Sequence, residues 1–176
     1  MLHLKLMILL KQLLRLGLLV VMSGSVLAQS GEPVLLGKFE GWNAYAYRTP
    51  ESRVCYITAE PRIRVPKSTK RDPAYFLVTR MPGKGVKAEV STIIGYPFKK
   101  ESQVSLVIDG KEFIMRTDAD GAWAEDTATD NAIVVSMLHG KAMTLRGTSW
   151  RGTDTLDTYG LEGVRAALGK IAQACK

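Results

Sequence analysis

The chain has 176 residues, 24 basic against 17 acidic side chains, a formal net charge of +7 and 46% apolar residues. That balance excludes wholesale disorder and a polytopic membrane protein, while two distant cysteines and 7% aromatics exclude a collagen, a coiled coil and a dense disulfide scaffold. The charge invites a nucleic-acid reading until its distribution along the chain is examined.

The first 28 residues carry 19 of the apolar side chains, three basic ones (Lys5, Lys11, Arg15) and no acid. An uncharged run from Leu16 to Met22 leads through Ser23, Gly24 and Ser25 to Val26-Leu27-Ala28. Small or short-branched residues three and one places before a scissile bond suit signal peptidase, which predicts a signal peptide over 1–28 with cleavage after Ala28. The competing reading is an uncleaved membrane anchor, against which Lys11 and Arg15 stand as charges a bilayer centre disfavours. Lipid attachment would need a cysteine at the cleavage site, and the first cysteine is Cys55. Removing 28 of 176 residues leaves 148; removing three of 24 basic side chains lowers the net charge from +7 to +4. The processed chain is expected to have no transmembrane helix.

Residues 29–37 are loosely patterned and read as a linker or frayed segment, with the folded domain over 38–176. From Phe39 to Arg48 the chain alternates, Trp42, Ala44 and Ala46 against Asn43, Tyr45 and Tyr47, the period of a strand. Thr49 to Ser52 turns it, and Arg53 to Ala59 forms a second strand of a hairpin, with Cys55 facing inward. Pro61 to Pro73 holds three prolines and suits a surface loop. Ala74 to Arg80, a turn over Met81 to Gly85, and Val86 to Ile94 follow. Gln103 to Ile108 and Lys111 to Thr117 flank Asp109-Gly110, the clearest hairpin turn in the chain. The period then changes to that of a helix, with Asp130 as its N-cap, Ile133, Val134, Met137 and Leu138 on one face, and Gly140 ending it in the left-handed conformation. Lys141 to Trp150 and Asp154 to Tyr159 read as a further strand pair. The last segment is an amphipathic helix with Leu161, Val164, Leu168, Ile171, Ala172 and Cys175 on one stripe. This order predicts a mainly β domain, an antiparallel β-sandwich or open barrel, with a short helix and a C-terminal amphipathic helix packed at its edge.

Export would place Cys55 and Cys175 in an oxidising compartment, where an even pair closes into a disulfide. Both face the interior, which supports the bridge independently. A free redox pair and intermolecular pairing are the alternatives, the former weakened by the lack of a C-x-x-C dithiol. Beyond residue 28 the only histidine is His139, so no zinc set is assembled, and neither metal nor cofactor is expected.

His139 is the obvious general-base candidate, but it sits at a helix end where a histidine also favours the helix dipole, and no nucleophile motif accompanies it. Gly83-Lys84-Gly85 lacks the spacing of a phosphate loop. Asp154 and Asp157, three apart on a strand, fall on opposite faces and are expected to pair with local arginines or cap the next turn. The best interaction candidate is the basic run Arg62, Arg64, Lys67, Lys70 and Arg71, which could attract phosphate or carboxylate groups of lipid headgroups, envelope polymers or an acidic protein. Its bland alternative is a solubilising loop. Nucleic acid is not an expected partner of an exported chain with so few neighbouring aromatics.

Gly41-Trp42, Val54-Cys55-Tyr56, Glu60-Pro61, Gly95-Tyr96-Pro97-Phe98, Ile108-Asp109-Gly110, Ala122-Trp123-Ala124 and, above all, Arg151-Gly152-Thr153 through Asp157-Thr158-Tyr159 to Ala174-Cys175 resemble the invasion-associated locus B family of exported bacterial proteins. The resemblance covers nearly all of the chain beyond residue 28. It implies a β-sandwich-like domain in the periplasm or outer envelope of a Gram-negative cell, an association with host-cell entry, and no catalytic residues. The expected function is that of a non-enzymatic envelope protein acting through its surface on an envelope or host partner. A periplasmic hydrolase using His139 is the alternative.

Overall fold

The computed structural model describes residues 31–68 and 70–176. The expected signal peptide over 1–28 lies outside the described residues. Eleven strands form one antiparallel sheet: β1 (Val34–Phe39), β2 (Trp42–Arg48), β3 (Arg53–Ala59), β4 (Ile63–Val65), β5 (Tyr75–Met81), β6 (Val86–Ile93), β7 (Gln103–Ile108), β8 (Lys111–Asp118), β9 (Gly121–Ala124), β10 (Ala142–Thr148) and β11 (Asp154–Gly160). Their order across the sheet is β1-β2-β3-β5-β6-β9-β8-β7-β10-β11-β4. Two helices follow β9 and β11: α1 (Thr127–His139) and α2 (Val164–Ala174).

The sheet is open at both edges but strongly curled. Phe76 on β5 and Tyr159 on β11 lie six places apart in the strand order, which in a flat sheet would separate them by ~29 Å. Their ring centroids are 5.9 Å apart. Trp42 on β2 donates its indole N–H to the Gly160 carbonyl of β11 at 3.0 Å. The two halves of the sheet therefore face each other across one core, within the expected range of an antiparallel sandwich or open barrel. Alternate residues of the strands supply that core: Trp42 and Ala44, Cys55 and Ile57, Phe76 and Val78, Val104 and Leu106, Met143 and Leu145 are all buried.

The helices close what the sheet leaves open. The β6 and β9 strands pair only from Ser91 to Ile93, so the earlier part of β6 lacks a neighbour on that side. There α1 packs, and its buried Asp130 accepts the Val90 backbone N–H at 2.8 Å. Asp130 is therefore not the N-cap expected from its position. Asp126 caps the helix by accepting from Thr129 N–H; its short side chain precedes the first helical residue, as capping geometry requires. Gly140 ends α1 in an extended conformation, φ −81°, rather than a left-handed one, because the chain leads directly into β10.

Two further expectations are corrected. The segment 29–37, read as a linker or frayed, is a strand from Val34 onward, paired with β2 through the tight turn at Glu40-Gly41. As an edge strand it has exposed Val34 and Leu35, while Leu36 and Phe39 pack on the core, so it shows no clean alternation. Within the proline-rich loop, Ile63–Val65 pairs with β11. Pro61 and Pro66 only flank this short edge strand, where prolines are tolerated.

Cys55 of β3 and Cys175 at the end of α2 are joined by a disulfide, with Cα atoms 6.0 Å apart and a sequence separation of 120. Both are buried, and Arg80 holds the same end by donating to the Cys175 carbonyl at 2.7 Å. Replacing both cysteines by serine should lower stability by roughly 2–4 kcal/mol and loosen α2 first. Hydrogen exchange would report this as faster amide exchange over 161–175 than in the sheet; uniform protection would contradict it.

Burial pushes the Asp130 carboxyl above its ordinary value of 3.8, partly offset by the Val90 hydrogen bond. A carboxyl that holds its proton more tightly when folded contributes stability at acid pH that is lost as pH rises through the folded value. Asp130→Asn keeps an oxygen for Val90 and should gain stability over the parent as pH rises from acid to neutral. Urea midpoints at the two pH values test this, and an unchanged difference would refute it.

Candidate functional site

Beside β11, the described residues between Pro61 and Pro73 form a strap. Its first end is fixed by the backbone bond from Arg62 N–H to the Thr158 carbonyl at 2.8 Å and by the three residue pairs of β4 with β11. Its second end is fixed inside the protein. Arg71 meets Asp157 with both guanidinium arms, Nη1 to Oδ2 at 3.1 Å and Nη2 to Oδ1, and the two side chains are only 2% and 0% exposed. Asp157 occupies an inward position of β11 between Thr155 and Tyr159. Burial pushes its carboxyl up, while the Arg71 guanidinium, with Arg64 farther off, draws it back. Burial, reinforced by Asp157, also holds the Tyr159 phenol well above the ordinary tyrosine range.

Neighbouring residues fit this pair closely. The Arg71 guanidinium lies 5.9 Å from the centroid of the Tyr96 ring, within cation–π range, and the Tyr96 hydroxyl is 2.6 Å from that of Thr155. Gly95 has φ +81°, and a side chain there would collide with the Asp72 carbonyl, whose N–H bonds back to Gly95 O at 3.1 Å. Glycine thus meets two requirements at once, a left-handed backbone and a close crossing. At Gly160 the Arg62 guanidinium occupies the place a Cβ would take.

The strap's own residues line an open cleft of about 420 Å³: Pro61, Arg62, Ile63, Arg64, Pro66, Lys67 and Arg71. Of the five basic residues singled out from sequence, four line the cleft and Lys70 lies exposed on the strap outside it. They are not equivalent. Arg71 is buried in its ion pair, and Arg62 is exposed but 2.7 Å from Glu162. Arg64 donates Nη2 to the Asp72 carbonyl at 2.6 Å. Among the described residues neither Arg64 nor Lys67 forms an ion pair.

Asp157 does pair with an arginine, but with one 86 residues away. Its inward phase on β11 was the available signal, since a carboxylate there must find a cation. Asp154 lies on the opposite face and accepts from the Thr148 hydroxyl at 2.7 Å. His139 is exposed at the end of α1, its Nδ1 2.8 Å from the Val135 carbonyl of the preceding turn. It is not among the residues lining the cleft, which include neither nucleophile nor general base. Among the described residues no group of three or more His, Cys, Asp or Glu could hold a metal ion, and no helix is long and apolar enough to cross a membrane.

A curled antiparallel sheet, clamped by one disulfide and carrying a strap whose residues line a cationic cleft, defines a small mainly β domain. Residues 42–172 match the family model described as invasion associated locus B (IalB) protein, and the chain belongs to that family. No curated protein and no solved structure matches the chain.

The buried pair gives a sharp expectation. Asp157→Ala should destabilise by about 3–5 kcal/mol by leaving Arg71 charged and unpartnered, whereas Arg71→Met combined with Asp157→Leu should recover most of that loss. Urea unfolding of the single and double variants decides it. Equal losses in both would mean that the pair itself, not the orphaned charge, carries the stability.

Proposed function

We propose that this protein is exported into the cell envelope of a Gram-negative bacterium, in the periplasm or at the outer surface, and acts there by binding rather than by catalysis. The observation that carries this reading is the cleft, where four basic side chains converge on a concave surface whose lining residues hold no nucleophile–base pair. Such a surface attracts anionic groups without the means to transform them. The Cys55–Cys175 bridge supports export, because structural disulfides persist in oxidising compartments. Membership of the family agrees with it. A part in host-cell entry, which the family's name carries, would work through the same surface. Arg62, Arg64, Lys67 and Arg71 shape the anionic-partner site, with Lys70 adding charge at its margin.

Fractionation of cells expressing the full chain, followed by mass spectrometry with and without reductant, tests the reading. The expected species lies in the envelope fraction, begins at Gln29 and gains two hydrogens on reduction. Recovery of the full-length, thiol-containing chain from the cytoplasm would overturn it.

A further inference from the structure

The outer face of β2, β3, β5, β6 and β9 carries side chains that a solvent-facing sheet does not need. Strand alternation turns Tyr45 and Tyr47 outward, because Ala44 and Ala46 beside them are buried. In the same way Tyr56 alternates with buried Cys55 and Ile57, Leu77 with buried Phe76 and Val78, and Trp123 follows buried Ala122. Register joins these residues into two adjacent rows across the strands. One runs through Tyr45, Tyr56 and Thr79, the other through Asn43, Thr58, Leu77, Ser91 and Trp123. An antiparallel sheet ordinarily gives its solvated face to polar side chains; here aromatic rings are set among hydroxyls.

The rings form a platform. Tyr45 and Tyr56 stack with centroids 5.2 Å apart and planes 18° from parallel, and Tyr47 meets Tyr56 edge-on at 6.3 Å. Pro33, Tyr47, Val54, Tyr56, Leu77 and Thr79 line an open depression of about 350 Å³, which shares no residue with the cationic cleft. Three strand spacings on, ~14 Å away, Trp123 is 39% exposed. Its ring fills the place that a Cβ on Gly121 would take, so the indole lies down on the sheet instead of projecting from it. Charge is confined to the margins. The lining of the depression includes no Asp, Glu, Lys or Arg; Glu89 ends the first row, and Arg116, beyond Trp123 on β8, is already paired with Glu125.

We infer that this face is a binding site for a neutral glycan of gluco-configured pyranose rings, which pack against Tyr47, Tyr56 and Trp123. The C–H groups on the faces of such a ring carry slight positive charge, which the negative face of an aromatic ring attracts. The hydroxyls of Thr79 and Ser91 lie between the aromatic positions, where sugar hydroxyls need partners. An uncharged lining offers an anionic polymer or headgroup no counter-charge. Curvature selects as well. The outer face of a curled sheet is convex, so two copies would touch along a line and fall short of the ~800 Å² per partner of a stable protein interface. A chain of linked rings can follow the curve from the depression to Trp123. A stabilising cross-strand pair would account for Tyr45 and Tyr56, but not for an exposed indole three strands away. The site is separate from the cationic cleft and does not rest on it.

The test sediments protein purified from expressing cells with particles of amorphous cellulose and of chitin, both neutral polymers of such rings. Retention on at least one is expected, undiminished by about 1 M sodium chloride, which screens charge, and reversed by the soluble oligosaccharide of the same sugar. Tyr47→Ala and Trp123→Ala should each weaken it by about fivefold or more, whereas Trp123→Phe, which keeps an aromatic face, should retain most of it. Trp150→Ala removes an exposed indole outside this face and should bind like the parent. Retention on neither polymer overturns the site. Release by salt also overturns it, by assigning the binding to cationic residues. Equal losses in Trp150→Ala and Trp123→Ala would mean indiscriminate aromatic adhesion, and a dimer in sedimentation equilibrium that Trp123→Ala dissociates would give the face to a second copy. Circular dichroism of each variant separates lost binding from lost folding. An exported, processed protein that ignores both polymers would leave the envelope reading and its cationic cleft standing.

Discussion

Two side chains that water would otherwise solvate, Arg71 and Asp157, meet in the interior with almost no exposed surface. Neither tolerates that position alone, since an unpaired buried charge is far more costly than any packing defect nearby. The consequence is geometric. Asp157 is fixed in phase on β11, so Arg71 must arrive at that point and the strap that carries it must run along the β11 edge of the sheet. The three-residue β4 would be a weak attachment by itself. With Arg71 anchored at one end and the Arg62 N–H bonded to Thr158 at the other, the strap is held at both ends, and the cleft lined by its own residues has fixed walls.

The residues through which this chain resembles its family take on physical meaning around that constraint. Gly95 lets the end of the strap cross at Asp72, Tyr96 places its ring against Arg71, and Phe98 enters the core. Along β11, Asp157 holds the arginine, Tyr159 packs its ring near Phe76 across the core, and Gly160 leaves room for Arg62. None of these roles calls for reacting atoms. They describe a scaffold that positions a strap, and what a partner would meet is the chemistry that the strap displays.

How much of this was legible in the sequence depends on how local the cause was. The β2–β3 hairpin and the Asp109-Gly110 turn follow from alternation and from dihedrals: Asp109 and Gly110 both have positive φ, as a two-residue turn requires. The inward phases of Cys55 and Cys175 were legible too, because Cys55 lies within a strand and Cys175 directly after a helix whose periods can be counted. β1 was missed because an edge strand with one face partly exposed has no clean alternation. β4 was hidden by its flanking prolines, and Asp130 resembled a cap because the demand it satisfies, a free N–H on β6, comes from strand order. The cationic run was visible as composition. Its division into a buried anchor, a rim pair and three cations that form no ion pair among the described residues depends on Asp157 and Glu162, which lie far away in sequence and arrive only through the fold.

The disulfide and the carboxylate that meets the cleft residue Arg62 lie at opposite ends of α2 and belong to one mechanical unit. An isolated helix of eleven residues is marginal in water, and only packing and anchorage make it a fixed support. At its start Gly163, with φ +83°, approaches the Phe39 carbonyl too closely for any side chain, and the preceding Glu162 meets Arg62 on the cleft rim. At its end Cys175 is covalently tied to β3. The helix thus carries a constraint from the covalent bridge to the carboxylate that neutralises one of the four cleft cations. That exposed pair contributes little to stability. Its importance is to distribution: with Glu162 held beside Arg62, the unneutralised charge is concentrated on Arg64 and Lys67, next to the apolar edge of β4.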